Sequence, residues 1–210
     1  MAISLDIFAD PVCPWCLIGK AELDHALESR PNHPFAIVWR PFRLNPDLPP
    51  QGMDRGEYLR GKFRDEAGIV AAHRPLMQAA ERLGLALNLP AIAREPSTAD
   101  AHRLLHWAGI EAAQTRVMGL LLAAHWREGR DIGDAAVLAD IAAAAGMDRA
   151  VVARLLDSDA DRQTVAAAEA HSRERGVRAV PTFIIGNRHV VPGAQPAEVW
   201  RRVIDELAAA

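Results

Sequence analysis

The chain has 210 residues, half of them hydrophobic and 24% charged, and its 24 Lys and Arg against 27 Asp and Glu give a formal net charge of -3. This composition separates it from disordered chains and lets it bury a core, while the near-neutral charge excludes a dominant electrostatic attraction to nucleic acid or an anionic membrane. No apolar run reaches the roughly 18 residues of a membrane span, and two cysteines are too few for a disulfide-stapled secreted scaffold.

The N-terminus, Met-Ala-Ile-Ser-Leu-Asp, lacks the basic-then-apolar order of a signal peptide, so the expected location is the cytoplasm. Ile3, Leu5 and Ile7 alternate with Ser4 and Asp6, which predicts a strand that ends at Asp10-Pro11. Cys13-Pro14-Trp15-Cys16 follows and opens a helix with Cys16, Leu23 and Leu27 on one face. Pro14 suits the first helical turn, where an N–H has no intrahelical partner to lose. Pro31 and Pro34 end this helix, and Phe35 to Trp39 reads as a second strand. The chain therefore opens β-α-β.

From Asn45 to about Gly56 the sequence is rich in Pro, Gly and Asp and reads as a loop. Between Tyr58 and Arg175 no segment alternates convincingly, and Ala and Leu recur at helical spacing with breaks at Gly84, Pro90, Pro96, Gly109, Gly129 and Gly146. This predicts about five or six helices, the last from about Asp159 to Arg175, with Gly176 at its C-terminal cap. Thr182 to Ile185, a Gly186-Asn187 turn and His189 to Val191 predict an antiparallel hairpin. Gln195-Pro196 then opens a final helix with Val199, Val203 and Leu207 on one face. The expected class is α/β: a core built from residues 1–45 and 160–210, with an all-helical domain, 46–159, inserted between its β-α-β and β-β-α halves.

Two cysteines placed at random in a chain of this length fall three residues apart about once in a hundred times, so the Cys13–Cys16 spacing points to chemistry. A thiol at a helix N-terminus faces unpaired N–H groups and the positive end of the helix dipole, both of which favour thiolate. Cys13 is the expected nucleophile, and Cys16, a turn deeper and shielded by the helix and Trp15, the resolving thiol. A zinc half-site needs two further ligands, and no second Cys-x-x-Cys is present. His102 and His106, at i and i+4, read as a solvated or substrate-facing helix surface. Asp10 has two readings, a proton relay for Cys16 or a turn residue that accepts from nearby N–H groups. Trp15, Phe42 and Phe183 are candidates for an apolar groove; core packing is the default for each, and the expectation rests on Trp15.

The combination of Asp10-Pro11-Val12-Cys13-Pro14-Trp15-Cys16, Arg40-Pro41-Phe42-Arg43-Leu44-Asn45-Pro46 and Gly176-Val177-Arg178-Ala179-Val180-Pro181-Thr182-Phe183 resembles the DsbA-like, FrnE-type thioredoxin-fold family. The resemblance covers essentially the whole chain. It implies a thioredoxin-like fold and a protein-disulfide oxidoreductase of reductase or isomerase type, with Cys13 attacking, Cys16 resolving, and Pro14, Trp15, Val180 and a cis Pro181 forming the substrate-binding surface. The residues between the cysteines are Pro14-Trp15 where periplasmic DsbA enzymes have Pro-His, so strong oxidising power does not carry over. The implied partner is a disulfide-containing protein or a small thiol, with glutathione or another thiol as co-substrate. No tightly bound cofactor, metal, nucleic acid or membrane is expected, and the oligomeric state is left open, a homodimer included.

The same fold class holds 2-hydroxychromene-2-carboxylate isomerases and kappa-class glutathione transferases, which this chain also resembles in its insert and last motif. Those relatives carry a serine-type residue where Cys13 stands. A glutathione-dependent isomerase or transferase is therefore the alternative reading, and a dithiol that only senses oxidation is a third. In a reducing cytosol a reductase, isomerase or sensor fits and an oxidase does not.

Overall fold

The computed structural model describes residues 2–209. The N-terminal alternation forms β1 (Ile3–Ala9), which Phe8 and Ala9 extend into the interior before Asp10-Pro11 turns the chain. Cys13 is the N-cap residue of α1 (Pro14–Glu28), which begins on the proline as its fixed φ favours. The chain returns as β2 (Phe35–Pro41), parallel to β1 in the register Ile3 to Phe35.

Next come β3 (Met53–Asp54), α2 (Arg55–Lys62), α3 (Glu66–Arg82), β4 (Arg94–Glu95), α4 (Ala99–Ile110), α5 (Gln114–Trp126), α6 (Ala135–Ala144), α7 (Arg149–Leu156) and α8 (Arg162–Glu174). Seven α-helices thus stand among the described residues where five or six are expected from sequence. The extra one is explained by α2, which buries no residue and so has no apolar stripe to read; the Asp54 side chain starts it by accepting from Glu57 N–H. The pair β3–β4, joined antiparallel through Met53–Glu95 and Asp54–Arg94, is likewise absent from the sequence reading. Two-residue strands carry no alternation and exist only because a distant partner is present.

The chain closes with β5 (Thr182–Ile185), β6 (His189–Pro192) and α9 (Ala197–Ala209). Gly186 and Asn187 both have positive φ, 57° and 59°, the conformation of a two-residue hairpin turn that matches strand twist. Gly176 (φ 85°) follows the last residue of α8's cap, as its position in the sequence indicates. The main sheet runs β2-β1-β5-β6, with β5 antiparallel to both neighbours.

Because successive side chains of a strand point to opposite faces, β1 serves two cores. Leu5, Ile7 and Ala9 join Leu23 of α1 and Trp200 of α9, while Phe8 joins Phe42, Val177 and Ile184 beneath the other face. The Phe183 ring meets Trp200 edge-on, with centroids 4.7 Å apart. On α9 the buried residues are Ala197, Trp200 and Ile204, with Val203 and Leu207 at the margin. The stripe is rotated from Val199, Val203 and Leu207 because the large Trp200 ring takes the centre of the contact.

Local caps hold the middle helices. The Asp148 carboxylate accepts from Ala150 N–H at 2.8 Å and Val151 N–H at 3.0 Å at the start of α7. Asp148→Ala is expected to cost about 1 kcal/mol and to lower the melting midpoint by roughly 2–4 °C in a chain of this size. Thermal unfolding followed by circular dichroism measures this, and an unchanged midpoint would show that the cap contributes nothing.

Candidate active site

β1 delivers the Asp10-Pro11-Val12 turn to the head of α1, and three hydrogen bonds set its shape. Cys13 N–H donates to Asp10 O at 2.9 Å, Val12 N–H reaches Asp10 Oδ1 at 3.5 Å, and Trp126 Nε1–H, from α5, donates to Pro11 O at 3.0 Å. Cys16 N–H returns to Cys13 O at 3.0 Å, which places the second thiol one helical turn in. Both cysteines are free thiols.

Cys13 Sγ lies 3.4 Å from the carbonyl oxygen of Val180, on the loop that leads into β5. The Val180–Pro181 peptide bond is cis. This loop approaches α1 closely at Gly19, where a Cβ would sit 3.1 Å from Pro181 Cγ and would require the proline ring to shift by a few tenths of an ångström. Cys13, Cys16, Val180 and Pro181 therefore meet at one point, although 167 residues separate Cys13 from Val180. Pro14 and Trp15 flank them, and Trp15 is the exposed member at 38%. Phe42 and Phe183 are in the two cores rather than in a groove.

Shielding is expected from sequence for Cys16, but both thiols are buried, Cys13 at 3% and Cys16 at 1% exposure. The cover comes partly from the loop at Val180, remote in sequence. Burial first, and then the hydrogen bond and charge of Cys13, push the Cys16 thiol well above its ordinary range.

Asp10 is fully buried beneath this pair. Its Oδ2 accepts from Leu44 N–H at 2.7 Å, and Thr98 stands beside the carboxylate. Desolvation outweighs these bonds and raises its pKa from 3.8 to about 7. His102, expected on a solvated or substrate-facing surface, is instead buried, with Nε2 at 3.8 Å from Asp10 Oδ1 and without a hydrogen-bond partner. Burial lowers its pKa to about 4, so at neutral pH the ring is uncharged and the contact is not a salt bridge. His106 is half-buried and lies 3.8 Å from Asp161. Among the described residues no three His, Cys, Asp or Glu side chains converge as a metal site.

A second layer comes from the helical segment. Glu95 pairs with Arg55 and accepts from Asn45, and the Arg55 guanidinium lies 5.6 Å from the ring centre of Trp126, the residue that clamps the turn. Trp126, Thr98, Glu95 and Arg55 are absent from the sequence reading. None lies in a short motif, and only the tertiary packing of α2, β4 and α5 around the turn reveals them.

Residues 4–205 match the family model described as DSBA-like thioredoxin domain. The fold superposes on the crystal structure of "probable DsbA oxidoreductase SCO1869" from Streptomyces coelicolor with a TM-score of 0.84 and 28% identity, covering 99% of this chain and 90% of that one. Two structures, each 18% identical, share the fold. One is a 2-hydroxychromene-2-carboxylate isomerase, with a TM-score of 0.76 over 98% of this chain and 96% of that one. The other is the cytosolic disulfide reductase DsbM from Pseudomonas aeruginosa with GSH, with a TM-score of 0.69 over 99% of this chain and all of that one.

Proposed function

Because the chain belongs to the DSBA-like thioredoxin domain family, we propose that it is an FrnE-type thiol-disulfide oxidoreductase that reduces or isomerises disulfides of a protein or small-thiol substrate through Cys13 and Cys16. The observation that carries this reading is the Cys13 thiol at the head of α1, 3.4 Å from the Val180 carbonyl, with Cys16 a turn behind it. An extended substrate takes its backbone hydrogen bonds from Val180 and rests on Pro181, Pro14 and the exposed Trp15 ring.

The Cys13 thiolate attacks one sulfur of the substrate disulfide, the S–S bond breaks, and the other substrate sulfur leaves as thiolate. Cys16 then attacks Cys13 Sγ, which forms the Cys13–Cys16 disulfide and releases the second substrate thiolate. Two electrons have passed from the dithiol to the substrate. Cys16 is held as a thiol and must lose a proton to attack, and Asp10 is the carboxylate beside it that accepts one. Two molecules of a thiol such as glutathione return the enzyme to its reduced state. Glutathione in this role is supported by the GSH present in the DsbM structure, and the proposed cytoplasmic location by the description of DsbM as cytosolic. No described helix is long and apolar enough to cross a membrane.

The fold shared with the isomerase gives the glutathione-dependent alternative its support, and the thiol at position 13 weighs against it. Dithiothreitol-driven insulin reduction, run beside conjugation of glutathione to 1-chloro-2,4-dinitrobenzene, separates the two. Accelerated insulin precipitation without conjugation is the expected result. Conjugation without insulin turnover would overturn the oxidoreductase reading.

A further inference from the structure

A cavity of about 730 Å³ opens along the β2 edge of the sheet, between α4, α5 and α8. It is separate from the dithiol, since none of Cys13, Cys16, Trp15, Val180 or Pro181 lines it. Its volume lies in the range of small-molecule sites, about 300–1,000 Å³. The lining includes two arginines and three histidines and not one aspartate or glutamate, although Asp161 stands 3.8 Å from His106 and Glu174 3.7 Å from His171 just outside it.

The charge balance at the β2 wall is positive. Arg40 and Arg175, both lining the cavity, share a single carboxylate, Asp6, at 2.9 and 3.5 Å. One carboxylate between two guanidiniums leaves one positive charge without a partner. Phe8, Ile37, Leu105 and Val165 supply apolar wall, and Ile110 stands at the cavity 76% exposed. The His102 ring closes the cavity toward Asp10, and its Nε2 is buried without a hydrogen-bond partner. Two guanidiniums sharing one carboxylate, in a partly apolar cavity whose lining has no acidic side chain, suit an anionic ligand that also carries apolar surface.

Two other occupants fit less well. A metal ion lacks its ligand set, as no three candidate ligands converge among the described residues. An added β-strand finds the edge already blunted: Gln114 accepts from Trp39 N–H at 2.8 Å and donates to Trp39 O at 3.1 Å, and His33 Nδ1 accepts from Phe35 N–H at 3.2 Å.

We propose that this cavity is a binding site for a small organic carboxylate with an apolar body, its carboxylate on Arg40 and Arg175 and its body against Ile37, Leu105 and Ile110. The bidentate match of guanidinium to carboxylate gives orientation, and the apolar walls give the affinity that a bare anion lacks.

The test is a titration of the reduced, ¹⁵N-labelled full chain with octanoate and with 3-phenylpropionate, read by amide chemical shifts. Acetate serves as the charge without a body and 1-octanol as the body without a charge. Saturable shifts at Ile37, Ile110 and Ser172, with at least one of the two carboxylates binding tenfold or more tightly than both controls, are the expected result. Arg175→Gln, and Ile110→Glu at an exposed position that tolerates change, should each weaken that binding at least tenfold and keep insulin reduction. The proposal is overturned if neither carboxylate outbinds the controls, if both variants bind as the wild type does, or if the shifts centre on Trp15 and Val180.

Discussion

Cys13→Ser is expected to bring insulin reduction down to the rate of dithiothreitol alone, whereas Cys16→Ser should stop turnover one step later and accumulate a mixed disulfide on Cys13. The asymmetry follows from position. Cys13 is the N-cap residue of α1, its Sγ 3.4 Å from the Val180 carbonyl, where an extended substrate would lie. Cys16 is a turn deeper, 1% exposed, and its thiol is raised well above its ordinary range, so it acts after Cys13 has been loaded. Serine preserves size and a hydrogen-bond donor at either position, which keeps the turn intact and isolates the loss of sulfur chemistry. Intact-protein mass spectrometry after incubation with oxidised glutathione measures the trapped species. A glutathione adduct on Cys16→Ser, with none on Cys13→Ser, is the expected pattern. An adduct on Cys13→Ser, or none on Cys16→Ser, would remove the assignment of roles.

Asp10→Asn is expected to remove a large pH dependence of stability. The Asp10 carboxyl titrates at about 7 in the fold against 3.8 as its ordinary value. Between these limits the folded chain holds a proton that the unfolded chain has lost, so stability falls as pH rises. The contribution is fully present below pH 3.8 and lost by the time pH has passed about 7. At about 1.4 kcal/mol per pH unit, that window amounts to roughly 4 kcal/mol. Asparagine cannot ionise and keeps one oxygen to accept from Leu44 or Val12, so the variant should gain about that much relative to wild type between pH 4 and pH 8. Urea unfolding of both reduced proteins at pH 4, 6 and 8 measures the difference, in which carboxylates common to the two cancel. Parallel pH profiles would show that Asp10 does not titrate in this window. The same variant should resolve the Cys13 mixed disulfide at least about tenfold more slowly at pH 8, where wild-type Asp10 is ionised and can take the Cys16 proton.

The roles of Asp10 and His102 show where local reading runs out. As a turn residue Asp10 was legible in sequence, and it does accept from Val12 N–H. Its second Oδ bond goes to Leu44, and its elevated pKa comes from complete burial, with His102 of α4 3.8 Å away and no motif joining the two. His102 and His106 share a helical spacing that looks like one surface, yet one is buried against Asp10 and the other is half-buried beside Asp161. Helical periodicity states which residues share a face. It does not state what that face meets.

Local patterns determined the β-α-β opening, the dithiol at the head of α1, the Gly186-Asn187 hairpin and the position of Pro181 before β5, because strand alternation, proline at a helix start and positive-φ turn residues act over a few neighbouring residues. The burial of Cys13 under the Val180 loop, the Asp10–His102 contact, the Arg55–Glu95 layer behind Trp126 and the cationic cavity at β2 were decided only by the tertiary structure. Each joins segments distant along the chain, and desolvation, which sets the protonation of Asp10, Cys16 and His102, is the summed effect of every group packed around them.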